Sequence, residues 1–234
     1  MLIHVGEGRT ARVDLGLAVT LSAIAGAINA AGLHAAGFFS ANMTGNLSLL
    51  SDSVALGGWP LVALLAVVVG AFVAGAFAST LLIETGRRRG IDAIYAYSIL
   101  AEALLLAALG MADLALDSVH SGPTLIVGLS FLMGLQNATG TLISNARVRT
   151  THVSGMATDI GIELAGLLRT GAADGRERYI NLLILHASTL VAFFGAGILG
   201  VLAYSRFGSA TLLAIALVLA ALAAPFLGRR KPTV

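Results

Sequence analysis

The chain has no cysteine and very little charge. The missing cysteines exclude disulfides and thiolate-bound metals, and they leave the redox compartment undetermined. Asp, Glu, Lys and Arg make up only 11% of the 234 residues, whereas 57% are hydrophobic and the mean hydropathy is +0.91. Such a composition lies far outside the range of soluble globular domains. The sequence therefore predicts an integral membrane protein surrounded by a lipid bilayer.

Long stretches without charged residues predict six membrane-spanning helices. A helix needs about 20 mainly apolar residues to cross a hydrocarbon core of about 30 Å. The third predicted helix meets this requirement only if Glu102 is tolerated within it. Two short segments, from about residue 45 to 56 and from about 155 to 168, stay outside the spans as re-entrant or half helices. The predicted fold is an all-α integral membrane domain with spans at residues 13–36, 60–83, 93–111, 123–145, 179–204 and 209–227.

Two polar motifs stand in matching places within these apolar surroundings. The sequence Asn-Met-Thr-Gly begins at Asn42, and His-Val-Ser-Gly begins at His152. An Asn-Ala pair precedes each motif, at Asn29 and at Asn137, and a short helix-like stretch with acidic residues follows each. Hydrogen-bonding groups at membrane depth are costly unless they serve one another or a ligand. The two motifs are therefore the strongest functional signal in the chain.

A further match supports an internal duplication. Ala-Phe-Val-Ala-Gly-Ala at residues 71–76 resembles Ala-Phe-Phe-Gly-Ala-Gly at residues 192–197, at the expected place in each half. We interpret the chain as two repeats, covering about residues 13–112 and 123–228.

The basic residues predict the orientation of the repeats, because short loops rich in Lys and Arg stay on the cytoplasmic side of a membrane. The loop at 112–122 carries Asp113 and Asp117 without Lys or Arg, as expected outside. Both termini are predicted to be cytoplasmic, with neither motif segment crossing. In this orientation the basic residues on the cytoplasmic side are Arg9, Arg12, Arg87, Arg88, Arg89, Arg147, Arg149, Arg169, Arg176, Arg178, Arg229, Arg230 and Lys231.

This orientation makes the fold an inverted repeat with three spans and one re-entrant segment in each half. The two motif segments would enter from opposite faces and meet near the midplane, as in many secondary transporters. Because membrane topology accounts for the basic residues, no nucleic-acid partner is expected.

Both motif segments are candidate solute-binding elements. An interrupted membrane helix exposes unpaired backbone N–H groups and a partly positive end, which suits a small polar or anionic solute. Asn42 or Thr44 is the expected N-cap of the first short helix, and Thr150, Thr151 or Ser154 that of the second. Alternatively, these residues only cap and pack two re-entrant turns. The predicted solute-binding residues are Asn29, Asn42, Thr44, Gly45, Asn46, Gln136, Asn137, Thr151, His152, Ser154, Gly155 and Asp159.

Some of the polar residues have a simpler interpretation. Asn29 and Asn137 either line the solute cavity or only hold helices together through interhelical hydrogen bonds. His34 and His186 are expected to be hydrogen-bonded packing residues.

Several ionisable residues lie at or near the predicted membrane depth. Glu102 and Asp159 are candidates for proton or ion coupling, because intramembrane carboxylates are functional candidates by default. For Glu102 the alternative is a helix–helix hydrogen bond made by a protonated acid. Asp52 and Glu163 are expected at the water interface. His152 would add pH sensitivity to the second motif.

Three strings carry a resemblance to a known family: residues 39–46 (FSANMTGN), 134–138 (GLQNA) and 150–155 (TTHVSG). Together they closely resemble the YoaK family, also catalogued as a domain of unknown function, DUF1275. The resemblance covers nearly the whole chain and implies a small polytopic protein of the bacterial inner membrane. It implies no substrate. The Thr-Gly of the family's usual second motif appears here as Ser154-Gly155, which keeps the hydroxyl group.

Three functions compete for this sequence. The first, which we favour, is a transporter or channel for a small polar or anionic solute, gated by movement of one half against the other. The second is a membrane-embedded enzyme using His152, Asp159 and Glu163, although the sequence has no H-E-x-x-H helix, no G-x-S-x-G elbow and no Cys/His cluster. The third is a purely structural membrane protein. No cofactor or metal is expected, and the small residues of spans two and five allow a homodimer.

Overall fold

The computed structural model describes Leu2 and residues 10–115, 118–169 and 173–228. This part of the chain is helical and contains no strand, which confirms the all-α prediction. Some residues used to predict the orientation, namely Arg9, Asp117 and residues 229–231, lie outside the described residues.

Eight α-helices follow one another along the described residues. The predicted spans correspond to α1, α3, α4, α5, α7 and α8, and the two motif segments begin α2 and α6. The helices are α1 (Ala11–Ala36), α2 (Met43–Ala55), α3 (Trp59–Arg88), α4 (Ile94–Ala115), α5 (Ser118–Ser144), α6 (Val153–Arg169), α7 (Ala173–Phe207) and α8 (Ala210–Ala223), which continues as a 3₁₀ turn (Ala224–Phe226).

Five of these helices, α1, α3, α4, α5 and α7, are long and apolar enough to cross a membrane, counted over the described residues. The last apolar helix is shorter than its predicted span, because it begins only after Gly208 and tightens at Pro225. With its 3₁₀ turn it covers residues 210–226, about 25 Å at 1.5 Å per residue. The protein is therefore built from membrane-like helices, and the count of six full spans stays a prediction.

The helices pack around two central members, α1 and α5. These two are the most buried of the five long helices, and they contact each other. Helix α7 packs along α1, and α3 packs along α5. The short helices lie outside this group, α2 against α3 and α6 against α7, while α4 packs on α8 and α5. Since each motif segment follows one central helix, both motifs start next to the middle of the bundle.

Glycines bring α3 and α5 into backbone contact. A Cβ atom at Gly75 would overlap the carbonyl oxygen of Phe131, and one at Gly134 would overlap the carbonyl oxygen of Phe72. Any larger residue at these places would push the two helices apart. The crossing therefore depends on the absence of a side chain on each partner.

The crossing of α1 with α7 is built in the same way. A Cβ atom at Gly26 would overlap the carbonyl oxygen of Phe193, and one at Gly200 would meet the backbone of Ala27. Glycine thus sets the helix spacing on both sides of the central pair.

A buried hydroxyl cluster ties α3, α4 and α5 together. Thr139 Oγ1 lies 2.9 Å from Ser79 Oγ and 2.8 Å from Ser98 Oγ, and it donates to the carbonyl oxygen of Leu135 at 3.0 Å. Because Thr139 has a single hydroxyl proton, the two serines are the donors to it. Three helices therefore share one satisfied polar centre.

We predict that Gly75→Ala destabilises the protein and that Gly70→Ala, on the same helix, does not. The added methyl group at position 75 meets the Phe131 backbone, whereas nothing lies within 4 Å of the Cβ position at Gly70. Overpacking of this kind costs about 1–3 kcal/mol. Thermal unfolding in detergent, followed by circular dichroism, should show a lower melting temperature for Gly75→Ala alone. Equal melting temperatures for the two variants would contradict the close crossing.

Candidate functional site

A cavity of about 950 Å³ lies between the two motif segments. Residues of both motifs line it, and the rings of Phe72 on α3 and Phe193 on α7 contribute to its walls. These two phenylalanines are the residues whose backbone the glycines of α5 and α1 approach. The close helix crossings therefore also place the aromatic lining of the cavity.

The chain leading into the first motif is held by Asn29 of α1. Its Oδ1 atom accepts a hydrogen bond from the backbone N–H of Ala41 at 2.9 Å and lies 3.4 Å from Ser40 Oγ. On the other side of the segment, Asn46 donates its side-chain N–H to the carbonyl oxygen of Phe39 at 2.8 Å. Irregular backbone is tolerated at membrane depth only where such partners satisfy it.

Asn137 of α5 plays the corresponding part in the second half. Its Oδ1 atom accepts from Thr151 Oγ1 at 2.8 Å, while its Nδ2 donates to the carbonyl oxygen of Met133 at the same distance. Asn29 and Asn137 also line the cavity. Each asparagine therefore holds a motif segment and lines the cavity, and the hydrogen bonds described for them go to those segments or to their own helix, not to another helix.

Asn42 caps α2, as predicted. Its Oδ1 atom accepts from the backbone N–H of Gly45 at 3.0 Å, and its carbonyl oxygen accepts from Asn46 N at 3.0 Å. A Cβ atom at Gly45 would lie 2.7 Å from the Asn42 amide nitrogen, so glycine makes room for the cap.

The predicted cap of α6 was wrong. The helix begins at Val153, and the residue before it is His152, whose carbonyl oxygen accepts from Met156 N at 3.0 Å. None of the three hydroxyl residues Thr150, Thr151 and Ser154 occupies this position. The His152 ring lies over Gly155, where a Cβ atom would overlap its Nδ1. His152 thus takes the place that Asn42 has in the first motif.

The lining of the cavity favours negative charge. Both α2 and α6 begin at it, and a helix N-terminus carries roughly half a positive charge. The guanidinium-bearing residue Arg149 also lines the cavity, while no Asp or Glu does so among the described residues. Thr44 and Ser154 add hydroxyl groups that can donate, whereas the Ser48 hydroxyl already donates to the carbonyl oxygen of Thr44.

Most of the predicted binding residues meet at this cavity. They are Asn29, Asn42, Thr44, Gly45, Asn137, Thr151, His152 and Ser154.

Four predicted binding residues lie elsewhere. Asn46 is buried behind the first segment, and Gly155 lies beneath the His152 ring. Gln136 is fully buried and donates to Glu102 Oε1 at 2.6 Å, because a neighbour of Asn137 on a helix points about 100° away from it. Asp159 lines a different cavity.

Glu102 is completely buried between α4 and α5, away from the cavity. Its contact with Gln136 matches the predicted alternative of a helix–helix hydrogen bond. The coupling role proposed for Glu102 stays a prediction.

A second, smaller cavity of about 340 Å³ adjoins the second motif. Asp159 and His186 line it, and Arg149 and His152 line both cavities. His186 is hydrogen-bonded, as predicted, and its partner is Glu163, with Nδ1 and Oε1 2.7 Å apart. Glu163 was expected at the water interface, and this was wrong, because α6 packs on α7 and buries that side chain between them.

Two other expected positions can be compared directly. Asp52 is exposed, and its place at the water interface stays a prediction. His34 was expected to be a hydrogen-bonded packing residue, but it is exposed and meets the ring of Tyr204 edge-on, with ring centroids 6.3 Å apart.

Phe72, Phe193 and Arg149 are among the lining residues that the sequence patterns missed. The matched Ala-Phe strings contained the two phenylalanines but were used only as evidence of duplication. Arg149 was predicted only as a cytoplasmic loop residue, although its position three residues before His152 was an available signal.

The asparagine contacts predict different effects of two equivalent substitutions. Asn29→Leu leaves the buried backbone N–H of Ala41 unpaired, which costs about 1–3 kcal/mol. Asn137→Leu removes the acceptor of the Thr151 hydroxyl group. Because Thr151 lies at the cavity surface, its hydroxyl can rotate to another acceptor. In thermal unfolding experiments Asn29→Leu should therefore lower the melting temperature more. A larger loss for Asn137→Leu would refute this account of the two segments.

A family model described as "Protein of unknown function (DUF1275)" matches residues 17–224 of the chain. No curated protein and no solved structure matches the chain.

Proposed function

The chain belongs to the DUF1275 family, and we propose that it is a transporter or channel that binds a small anion between its two motif segments. One observation carries the proposal: a single cavity is lined by the beginnings of two helices and by Arg149, with no carboxylate among the described lining residues. We place the protein in the bacterial cytoplasmic membrane with both termini inside.

The charge of the cavity supports an anion over a neutral or cationic solute. Two helix N-termini and one guanidinium group together contribute about two positive charges to the lining. In a low-dielectric setting these charges are screened much less than in water. Thr44 and Ser154 stand at equivalent places in the two motifs and supply a hydroxyl from each side. Together these groups could replace the hydration shell of a small oxyanion or halide.

The hydrogen bond between Thr151 and Asn137 supports a re-entrant path for the second segment. Asn137 lies about two turns before the end of α5 at Ser144. The chain therefore leaves α5 and comes back along it before α6 begins. Such a path brings the start of α6 back beside α5.

The packing supports an inverted repeat with alternating access. The contact of α1 with α7 has its counterpart in that of α5 with α3, and α2 on α3 has its counterpart in α6 on α7. Gly26 against Phe193 corresponds to Gly134 against Phe72. In this proposal one half moves against the other around the cavity and exposes it to each side in turn.

We expect anions to stabilise the purified protein and Arg149 to be needed for this. At constant ionic strength, sodium chloride, nitrate, formate, phosphate and sulfate would be compared by their shift of the melting temperature in detergent. Arg149→Gln should weaken the binding of the best anion about tenfold, equivalent to about 1.4 kcal/mol. Arg87→Gln is the matched control, because Arg87 lies at the end of α3 and pairs with Glu84. The proposal would be contradicted if none of these salts raised the melting temperature. It would also be contradicted if Arg149→Gln and Arg87→Gln weakened anion binding equally.

We also predict that the same anion crosses the membrane through the protein. Liposomes containing the wild type should show flux of the best-binding anion, and Thr44→Ala and Ser154→Ala should each slow it. Ser51→Ala is the control, because its hydroxyl bonds the Leu47 carbonyl and does not line the cavity. If all three variants moved the anion at the wild-type rate, the two motifs would not form the path.

A further inference from the structure

The partly buried His186 and the buried Glu163 form a hydrogen-bonded pair outside the anion site. Glu163 is 3% exposed, and its Oε1 lies 2.7 Å from His186 Nδ1. Its other oxygen, Oε2, is buried without a hydrogen-bond partner among the described residues. His186 lines the second cavity, whereas Glu163 does not. A proton can thus pass between that cavity and the carboxylate by way of the imidazole.

The second cavity joins this pair to the anion site. Arg149 and His152 line both cavities and stand between them. The anion site and the cavity beside the pair therefore share two ionisable lining residues.

The charged groups around the pair come from several elements. Arg147, Arg149 and His152 from the loop before α6, and Asp159 from α6, line the second cavity. From α1, Asp14 pairs with Arg147, with Oδ2 and Nε 3.5 Å apart. Helix α8, which also packs on α7, has no ionisable residue between Ala210 and Ala223.

The fold does not require an ionisable pair at this place. Ser53 follows Gly45 by eight residues, and Glu163 follows Gly155 by the same number. Leu65 precedes Phe72 by seven residues, and His186 precedes Phe193 by the same number. Ser53 and Leu65 are both buried. The first half therefore fills the equivalent positions with a hydroxyl and an apolar side chain. The pair is an addition of the second half.

We infer that His186 and Glu163 bind and release one proton through the second cavity and couple it to the anion. The inference rests on the proposed function and adds the coupling ion. A hydronium ion that reaches the cavity gives a proton to Nε2 of the neutral imidazole and becomes water, and the Nδ1 proton passes to Glu163 Oε1. The products are a neutral imidazole and a carboxylic acid, so the net charge of the pair changes from −1 to zero.

Electrostatics fixes the direction of the coupling. A bound anion near Arg149 and His152 makes a net negative pair more costly, since charges interact strongly in a low dielectric. Proton uptake removes this repulsion, so each ligand strengthens the binding of the other by the same factor. The protein would then carry a proton and an anion in the same direction.

A test that does not depend on transport follows the imidazole nitrogens by NMR. Full-length protein labelled with ¹⁵N-histidine would be titrated in nanodiscs from about pH 5 to about pH 9. Proton uptake should move the proton-bearing position of His186 from Nδ1 to Nε2. The His186 signals, identified by their loss in His186→Gln, should move with pH, and at a different pH in Glu163→Gln. Signals that do not move, or that move identically in both proteins, would overturn the proton site.

A second test uses the double variant Glu163→Ser/His186→Leu, which gives the second half the residues of the first. It should melt within a few degrees of the wild type. In vesicles loaded with a pH-sensitive dye, a gradient of the best anion from the salt panel should drive proton entry by the wild type. In the double variant, proton entry should fall more than about tenfold, which corresponds to about 1.4 kcal/mol, while anion exchange persists.

The outcomes separate the two proposals. Unchanged proton entry in the double variant, or a loss of anion exchange together with proton entry in the folded variant, would overturn the coupling role. If the wild type moves no anion of the panel, the proposed function fails. The NMR titration then supports or overturns the proton site by itself.

Discussion

The arrangement depends on two side-chain oxygens, Oδ1 of Asn29 and Oδ1 of Asn137. Each accepts a hydrogen bond from the irregular segment that follows its helix, from Ala41 N in one half and from Thr151 Oγ1 in the other. A buried polar group without a partner costs several kcal/mol in an apolar environment, so an irregular segment packed among these helices needs such partners. Because both segments are held against the central helices, α2 and α6 can begin at a shared cavity.

The two halves keep the same frame and differ in their chemistry. Close glycine crossings occur in both halves, against the backbones of Phe72 and Phe193, and both phenylalanines line the cavity. The first motif is capped by an amide, whereas the second has His152 in that place and is followed by the buried Glu163. The hydrogen-bonded pair of His186 and Glu163 thus belongs to the second half. We propose that both halves bind the anion and that the second half also binds the proton.

Much of the fold was predictable because charge-free stretches limit where membrane helices can lie. The polar motifs also indicated the site, since eight predicted residues meet at the cavity. The failures concern side-chain direction and packing, which a linear pattern does not contain. Gln136 is adjacent to Asn137 but points toward Glu102, and Glu163 is buried because α6 packs on α7. Arg149 lines the cavity only because its loop folds back beside His152.

The central claim is that the two motif helices face one cavity, and intramolecular crosslinking tests it most directly. The chain has no cysteine, so Ser48→Cys and Ala157→Cys, which both line the cavity, can be introduced without background. We predict that a short bifunctional maleimide links these two positions within one chain in native membranes. The control pair, Asp52→Cys with Ala157→Cys, places one thiol a turn further along α2 and outside the lining, and should link poorly. If the cavity pair gave no intramolecular link, or linked no better than the control, the claim would be contradicted.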